Sequence, residues 1–156
     1  MPKSDHELKA NERKFGRDLM KAGYTVLPSV VIECQQALGL DAIDMNIIVH
    51  LAMRWWDADN KPHPAKASMA KAIGVHQMTI QRRIRAMEKR GLIKREYRKT
   101  SERGNLANKY HLDGLIAKAT GLAKEAIKER EKKARERAAR QRRGGRPTLR
   151  VVEGAA

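Results

Sequence analysis

The chain has 156 residues and a formal net charge of +16, with 34 Lys and Arg against 18 Asp and Glu. This length suits one domain with extensions, and the charge far exceeds what solubility requires, so we expect a polyanionic partner. Neither an apolar run of about 18 residues nor a secretory signal is apparent, which excludes a membrane span and favours a cytoplasmic, nucleoid-associated protein without a membrane partner.

The charge is concentrated in two blocks. Residues 1–64 carry a net charge of −1, whereas residues 65–111 carry +10 and residues 124–150 carry +8. Two basic blocks beside a near-neutral segment indicate an anion-binding surface with a defined location.

Several elements are predicted in the first half of the chain. Residues 1–23 form an N-terminal arm that is either flexible or loosely helical. A helical period begins at Ser29 and ends near Gly39, a typical helix stop. The next segment is the predicted core helix, with Asp41 as its predicted N-cap and Asp44 three residues later.

A helix-turn-helix is predicted within the first basic block. The stretch AKASMAKAIG reads as a short helix, VHQM as a tight turn, and residues 77–90 as a second helix. Ile80, Ile84 and Met87 lie at i, i+4 and i+7 of the second helix and should be buried. LIKREYRK and KYHL then read as the two strands of a hairpin, a wing, joined by a turn-rich tip.

Outward positions of the second helix carry side chains that can read base edges in the major groove, because Gln pairs with adenine and Arg with guanine. The predicted base-reading residues are Gln77, Met78, Gln81, Arg82 and Arg85. The predicted phosphate-contacting and wing residues are His76, Thr79, Arg83, Lys89, Arg98, Lys99, Arg103 and Asn105. The alternative is an ordinary solvated basic face, but this helix has only one acid, Glu88, to pair with its cations.

The stretch SMAKAIGVHQMTIQRRIRAMEKRGLIKR resembles the winged helix-turn-helix of bacterial regulators and mobile-element replication proteins. The closing stretch GNLANKYHLDGLI is similar to the Asn-x-Tyr-x-Leu strand of the same proteins. The resemblance covers roughly residues 24–118 and implies double-stranded DNA binding, usually as a homodimer. It departs at the helix caps, where Ala65 and His76 replace the usual serines.

A long helix is predicted from about Asp113, and its apolar stripe ends at Ile127. We divide the chain into the arm (1–23), a winged helix-turn-helix domain (24–118), a basic C-terminal helix (119–143) and a disordered tail (144–156). The tail resembles an AT-hook with its first arginine displaced by one position, although a nonspecific phosphate-binding arm is the favoured interpretation. The predicted DNA contacts of this region are Arg142, Arg143 and Arg146.

The sequence therefore predicts a mostly α-helical winged helix-turn-helix with a small β-hairpin wing and a long basic C-terminal helix. Its expected function is sequence-specific binding of double-stranded DNA as a bacterial transcriptional regulator, a repressor, with the second helix in the major groove. The alternative is a plasmid or phage replication-initiation or maintenance factor that binds origin repeats and a replication protein partner. RNA binding is disfavoured, since Tyr97 and Tyr110 are the only aromatic residues of the basic region. We expect no catalytic residues, cofactor or metal, because the five histidines are scattered and the single cysteine has no partner.

Overall fold

The computed structural model describes residues 5–100 and 104–143, and within these ranges the chain forms seven helices and four short strands. The helices are α1 (Asp5–Phe15), α2 (Arg17–Ala22), α3 (Ser29–Glu33), α4 (Ala42–Met53), α5 (Lys66–Ile73), α6 (Gln77–Lys89) and α7 (Asp113–Arg143). The strands are β1 (Lys94–Glu96), β2 (Lys99–Thr100), β3 (Gly104–Asn105) and β4 (Lys109–His111). The predicted fold class is confirmed. The chain divides into two units within α7, after Thr120.

The first half of the chain is helical, with one departure from the predicted pattern. The N-terminal arm forms α1 and α2. The helix that begins at Ser29 ends at Glu33 instead of near Gly39, and turns follow it over residues 34–39. Gly39 has a φ of +68°, which L side chains rarely adopt, and it leads the chain directly into the start of α4.

Helix α4 begins at the predicted N-cap, Asp41, and the structure adds a reciprocal bond that makes this start a capping box. The Asp41 carboxylate accepts hydrogen bonds from the backbone N–H groups of Ile43 and Asp44 at 2.9 and 2.8 Å. The Asp44 carboxylate in turn accepts from the backbone N–H of Asp41. These bonds satisfy donors that have no partner within the helix, so α4 begins at a fixed residue. Its buried face carries Ile47, Ile48 and Leu51 to the centre of the first unit.

Helices α5 and α6 form the predicted helix-turn-helix. Gly74 ends α5 in the left-handed conformation with a φ of +80°, and α6 begins three residues later. Ile80, Ile84 and Met87 are fully buried, and burial of an apolar side chain of this size contributes about 1.5–3 kcal/mol. This buried stripe fixes the rotation of α6 and therefore decides which of its polar residues face outward.

The wing is a two-part hairpin that returns the chain to the core. Strand β1 pairs with β4 in antiparallel register, Arg95 opposite Tyr110, and β2 pairs with β3 nearer the tip. The start of α7 then packs closely on the entry to the wing, because a Cβ on Gly114 would lie 1.9 Å from the carbonyl oxygen of Gly91. Only glycine allows this approach of two backbones.

The second unit begins at Gly121, and its described part is the C-terminal portion of α7. From Ile127 to Gln141 every side chain is exposed, which agrees with the end of the apolar stripe at Ile127. The predicted tail (144–156) lies outside the described residues. No helix in residues 5–100 and 104–143 is long and apolar enough to cross a membrane.

Candidate nucleic-acid interface

The outward face of α6 brings together four of the five predicted base-reading residues. Met78, Gln81, Arg82 and Arg85 line one shallow depression together with Thr79. Arg82, Arg85 and Met78 are exposed, and Gln81 is half-buried. Their polar groups make no side-chain hydrogen bond or ion pair with any residue that the structure describes. They are therefore available to bind a ligand. We call this set the α6 outer face.

The flank of α6 that faces α4 uses two of the arginines internally. Arg83 forms an ion pair with Asp41, the N-cap of α4. Arg90, two helical turns later, donates from Nη2 to the Asp44 carboxylate at 2.9 Å and from Nη1 to the carbonyl of Gly39. Asp44 is 1% exposed. Both carboxylates of the α4 capping box thus anchor α6, and they hold its outer face in a fixed orientation.

The opposite flank of α6 is joined to the wing. Arg95 of β1 donates from Nε to a Glu88 carboxylate oxygen at 2.9 Å, and its backbone N–H donates to the other oxygen at 3.1 Å. Hydrogen bonding from the Arg95 side chain lowers the pKa of Glu88 below its ordinary value. The one acid of α6 is therefore hydrogen-bonded to the wing, and the positive charge of Arg85 makes the smallest contribution to the lowered pKa of Glu88.

Gln77, the fifth predicted base-reading residue, lies apart from the other four. It lines a groove that is bounded by the wing and by the start of α5, together with Arg98. No predicted site in the sequence corresponded to this groove, and three of its other lining residues, Lys66, Tyr97 and Asn108, were not singled out as DNA contacts. The only earlier indication was that Tyr97 and Tyr110, both of which line it, are the aromatics of the basic region.

His76 caps α6. Its Nδ1 accepts a hydrogen bond from the backbone N–H of Met78 at 3.2 Å. This bond places the proton of the neutral ring on Nε2, which remains available to donate to a phosphate oxygen. The serine that usually caps this position is thus replaced by a side chain that can cap and also reach an anion.

The remaining predicted phosphate contacts are distributed over three regions. Lys89 is exposed at the end of α6 and has no ion pair among the described residues. Lys99 and Asn105 are backbone register partners in the outer strand pair of the wing. Arg142 and Arg143 end α7. Arg103 and Arg146 lie outside the described residues.

The sequence profile of the DnaD N-terminal domain family matches residues 27–133 of this chain. Among solved structures, the chain is similar to the N-terminal domain of the DnaD protein from Geobacillus kaustophilus HTA426, with a TM-score of 0.52 and 19% sequence identity. The likeness covers 73% of this chain and 93% of that one. At this identity the structural likeness establishes the fold. No curated protein matches the chain.

Proposed function

This chain belongs to the DnaD N-terminal domain family, and from that premise we propose that it is a DNA-replication protein that binds double-stranded DNA through the α6 outer face. The family is one of replication and primosome proteins. It therefore supports the replication alternative better than a transcriptional repressor. In this proposal the protein marks sites at an origin and recruits a replication protein partner.

The observation that supports the proposal is that some arginines of α6 pair with carboxylates of the fold and others do not. Arg83 and Arg90 are held by carboxylates of α4, whereas Arg82 and Arg85 have no such partner among the described residues. Acids at i+3 or i+4 can pair with cations on a helix face, but Arg82 has none at these positions. Glu88, three residues after Arg85, accepts its hydrogen bonds from Arg95 and is only weakly influenced by Arg85. An uncompensated face with Gln81 beside Arg82 and Arg85 supports base reading in the major groove.

The parts around the outer face suit phosphates. His76 and Thr79 lie at the N-terminal end of α6, and a helix N-terminus attracts anions. Lys89 lies at the other end, and the wing adds Lys99, Arg103 and Asn105 along the duplex backbone, whereas Arg98 lines a separate groove. The basic helix and the tail, with Arg142, Arg143 and Arg146, add further phosphate contacts that carry no sequence information.

Homodimerisation, which the resemblance to winged-helix proteins implies, places two outer faces on one duplex. Two-fold symmetric proteins bind half-sites about one helical turn or a multiple of it apart. The spacing of half-sites therefore reports whether the protein acts as a dimer.

The proposal is tested by mapping the DNA sites that the protein occupies in its host and measuring binding of the recovered sequences. Repeats at a replication origin support the replication role. Palindromes that overlap promoters favour the repressor instead. Duplex binding without any preference between recovered and scrambled sequences contradicts base reading by the α6 outer face.

A further inference from the structure

A groove separate from the α6 outer face lies between the wing and the starts of α5 and α6. Its volume is about 790 Å³, within the range of small-ligand and cofactor sites. Its lining is partly apolar and includes Pro64, Ala65, Ala67, Leu106, Ala107 and the buried Tyr110. Four residues with polar side chains also line it, namely Lys66, Gln77, Arg98 and Asn108.

The polar groups of the groove are available for a ligand. None of the side chains of Lys66, Gln77, Arg98 and Asn108 makes a hydrogen bond or ion pair with another described residue. Two of them are cations, two are amides, and no carboxylate belongs to the described lining. The groove thus favours an anionic ligand that has an apolar part and hydrogen-bonding edges.

Tyr97 also lines the groove and offers an aromatic ring for stacking. Tyr97 is 69% exposed as a residue, and the Arg95 guanidinium lies over its ring at 5.5 Å from the ring centroid. Arg95 is in turn fixed by its bonds to Glu88, so the cation holds the tyrosine ring in place. An exposed, held aromatic ring beside cations is typical of sites that bind unpaired bases.

We propose that this groove binds a short stretch of single-stranded DNA, with one base stacked on Tyr97, amide contacts from Gln77 and Asn108, and phosphate contacts from Lys66 and Arg98. The inference rests on the proposed function, since it assigns a second surface of a DNA-binding domain. It gives the protein two DNA ligands, a duplex on the α6 outer face and an unpaired strand in the groove. Such a pair of sites suits DNA that is being opened.

The test measures binding of a fluorescein-labelled ten-nucleotide oligothymidine to the full chain and to Tyr97→Ala. Loss of one base–aromatic stack costs about 1–3 kcal/mol, so we expect binding to weaken about 5- to 150-fold. Tyr97→Phe keeps the aromatic ring, so its affinity for oligothymidine should lie within about twofold of that of the unsubstituted protein. The matched control is Trp56→Ala, because Trp56 is 80% exposed but lies outside the groove lining, and it should leave binding unchanged.

Salt dependence separates the groove from the basic C-terminal helix, which can attract any nucleic acid. Stacking releases no counterions, so the ratio of affinities between the original chain and Tyr97→Ala should not change with salt. Lys66→Gln and Arg98→Gln should each flatten the log–log salt dependence of oligothymidine binding by about 0.7. A full salt slope in both variants would contradict the assigned phosphate contacts.

Duplex binding of the same variants distinguishes failure of this inference from failure of the proposed function. Tyr97→Ala should bind duplex DNA normally, and Arg82→Ala should bind oligothymidine normally. Equal oligothymidine affinity of the original chain and Tyr97→Ala would overturn the groove assignment but not the α6 outer face. Tighter binding of ten-nucleotide oligouridine would reassign the groove to RNA. Binding of an acidic, leucine-rich peptide to the groove that oligothymidine does not displace would assign the groove to a protein partner. Either result overturns the proposal.

Discussion

Arg82 and Arg83 are adjacent and equally charged, but the structure gives them different partners. Arg82 is exposed on the α6 outer face, and Arg83 pairs with Asp41. We expect Arg82→Ala to weaken binding to the cognate duplex without changing stability. We expect Arg83→Ala to change stability slightly and base reading very little. The two substitutions remove the same side chain from neighbouring positions, so each serves as the control for the other.

The magnitudes follow from the environments of the two side chains. The Arg82 side chain makes no intramolecular hydrogen bond or ion pair within the described residues, so its removal costs the fold almost nothing. Loss of one bidentate base contact costs about 1–3 kcal/mol, or about 5- to 150-fold in affinity. The side chains of Arg83 and Asp41 are 34% and 40% exposed, and an ion pair screened to this extent contributes about 0–1 kcal/mol. Arg83→Ala should therefore lower the melting temperature by a few degrees at most.

Fluorescence anisotropy titrations on cognate and scrambled duplexes, together with thermal unfolding of each variant, check this expectation. Arg82→Ala should reduce the ratio of cognate to scrambled affinity. Equal weakening on both duplexes would show that Arg82 contacts phosphates and does not read bases. A greater loss of specificity in Arg83→Ala than in Arg82→Ala would refute the assignment of inward and outward faces.

Three other expectations follow from the same contacts. Arg90→Ala leaves the buried Asp44 carboxylate without its cation and should lower the free energy of unfolding in urea by about 3–5 kcal/mol. The double variant Arg90→Met with Asp44→Leu should recover much of this loss. An unchanged stability of Arg90→Ala would contradict the buried pair. Truncation after Ile127 removes a helix segment whose described side chains are exposed. It should flatten the log–log salt dependence of duplex binding by several units, at about 0.9 per phosphate contact, and leave the melting temperature and the ratio of cognate to scrambled affinity nearly unchanged. An unchanged salt dependence would show that this region does not contact DNA. Hydrogen bonding from Arg95 lowers the pKa of Glu88 below its ordinary value of 4.5, so the stability that ionised Glu88 contributes is complete above pH 4.5 and is lost as the pH falls through the lowered pKa. Glu88→Gln should therefore be less stable at neutral pH, and its unfolding should depend less on acid pH. An identical acid dependence in the two proteins would exclude Glu88 as a source of that dependence.

Much of the fold was predictable because its signals are local. The capping box at Asp41, the left-handed Gly74 and the i, i+4, i+7 stripe of α6 each depend on residues within one or two helical turns. The same holds for the strands of the wing. The helix at Ser29 was predicted too long. Its apolar period continues past Glu33, but the chain turns there to reach the start of α4.

The sequence by itself determined that α6 is basic, which of its residues are buried, and that its arginines exceed its acids. It did not determine which arginines are free, because Arg83 and Arg90 pair with the two capping-box carboxylates of α4. Arg90 and its partner Asp44, for example, are 46 residues apart in the sequence. Helical periodicity places a side chain on a face, but only the packing of a second element decides whether that face meets a carboxylate or solvent. The groove at Tyr97 likewise depends on the packing of elements that are distant in the sequence. Its lining comes from α5, α6 and the wing, and Tyr97, Tyr110 and Gln77 come together only when these elements fold onto one core.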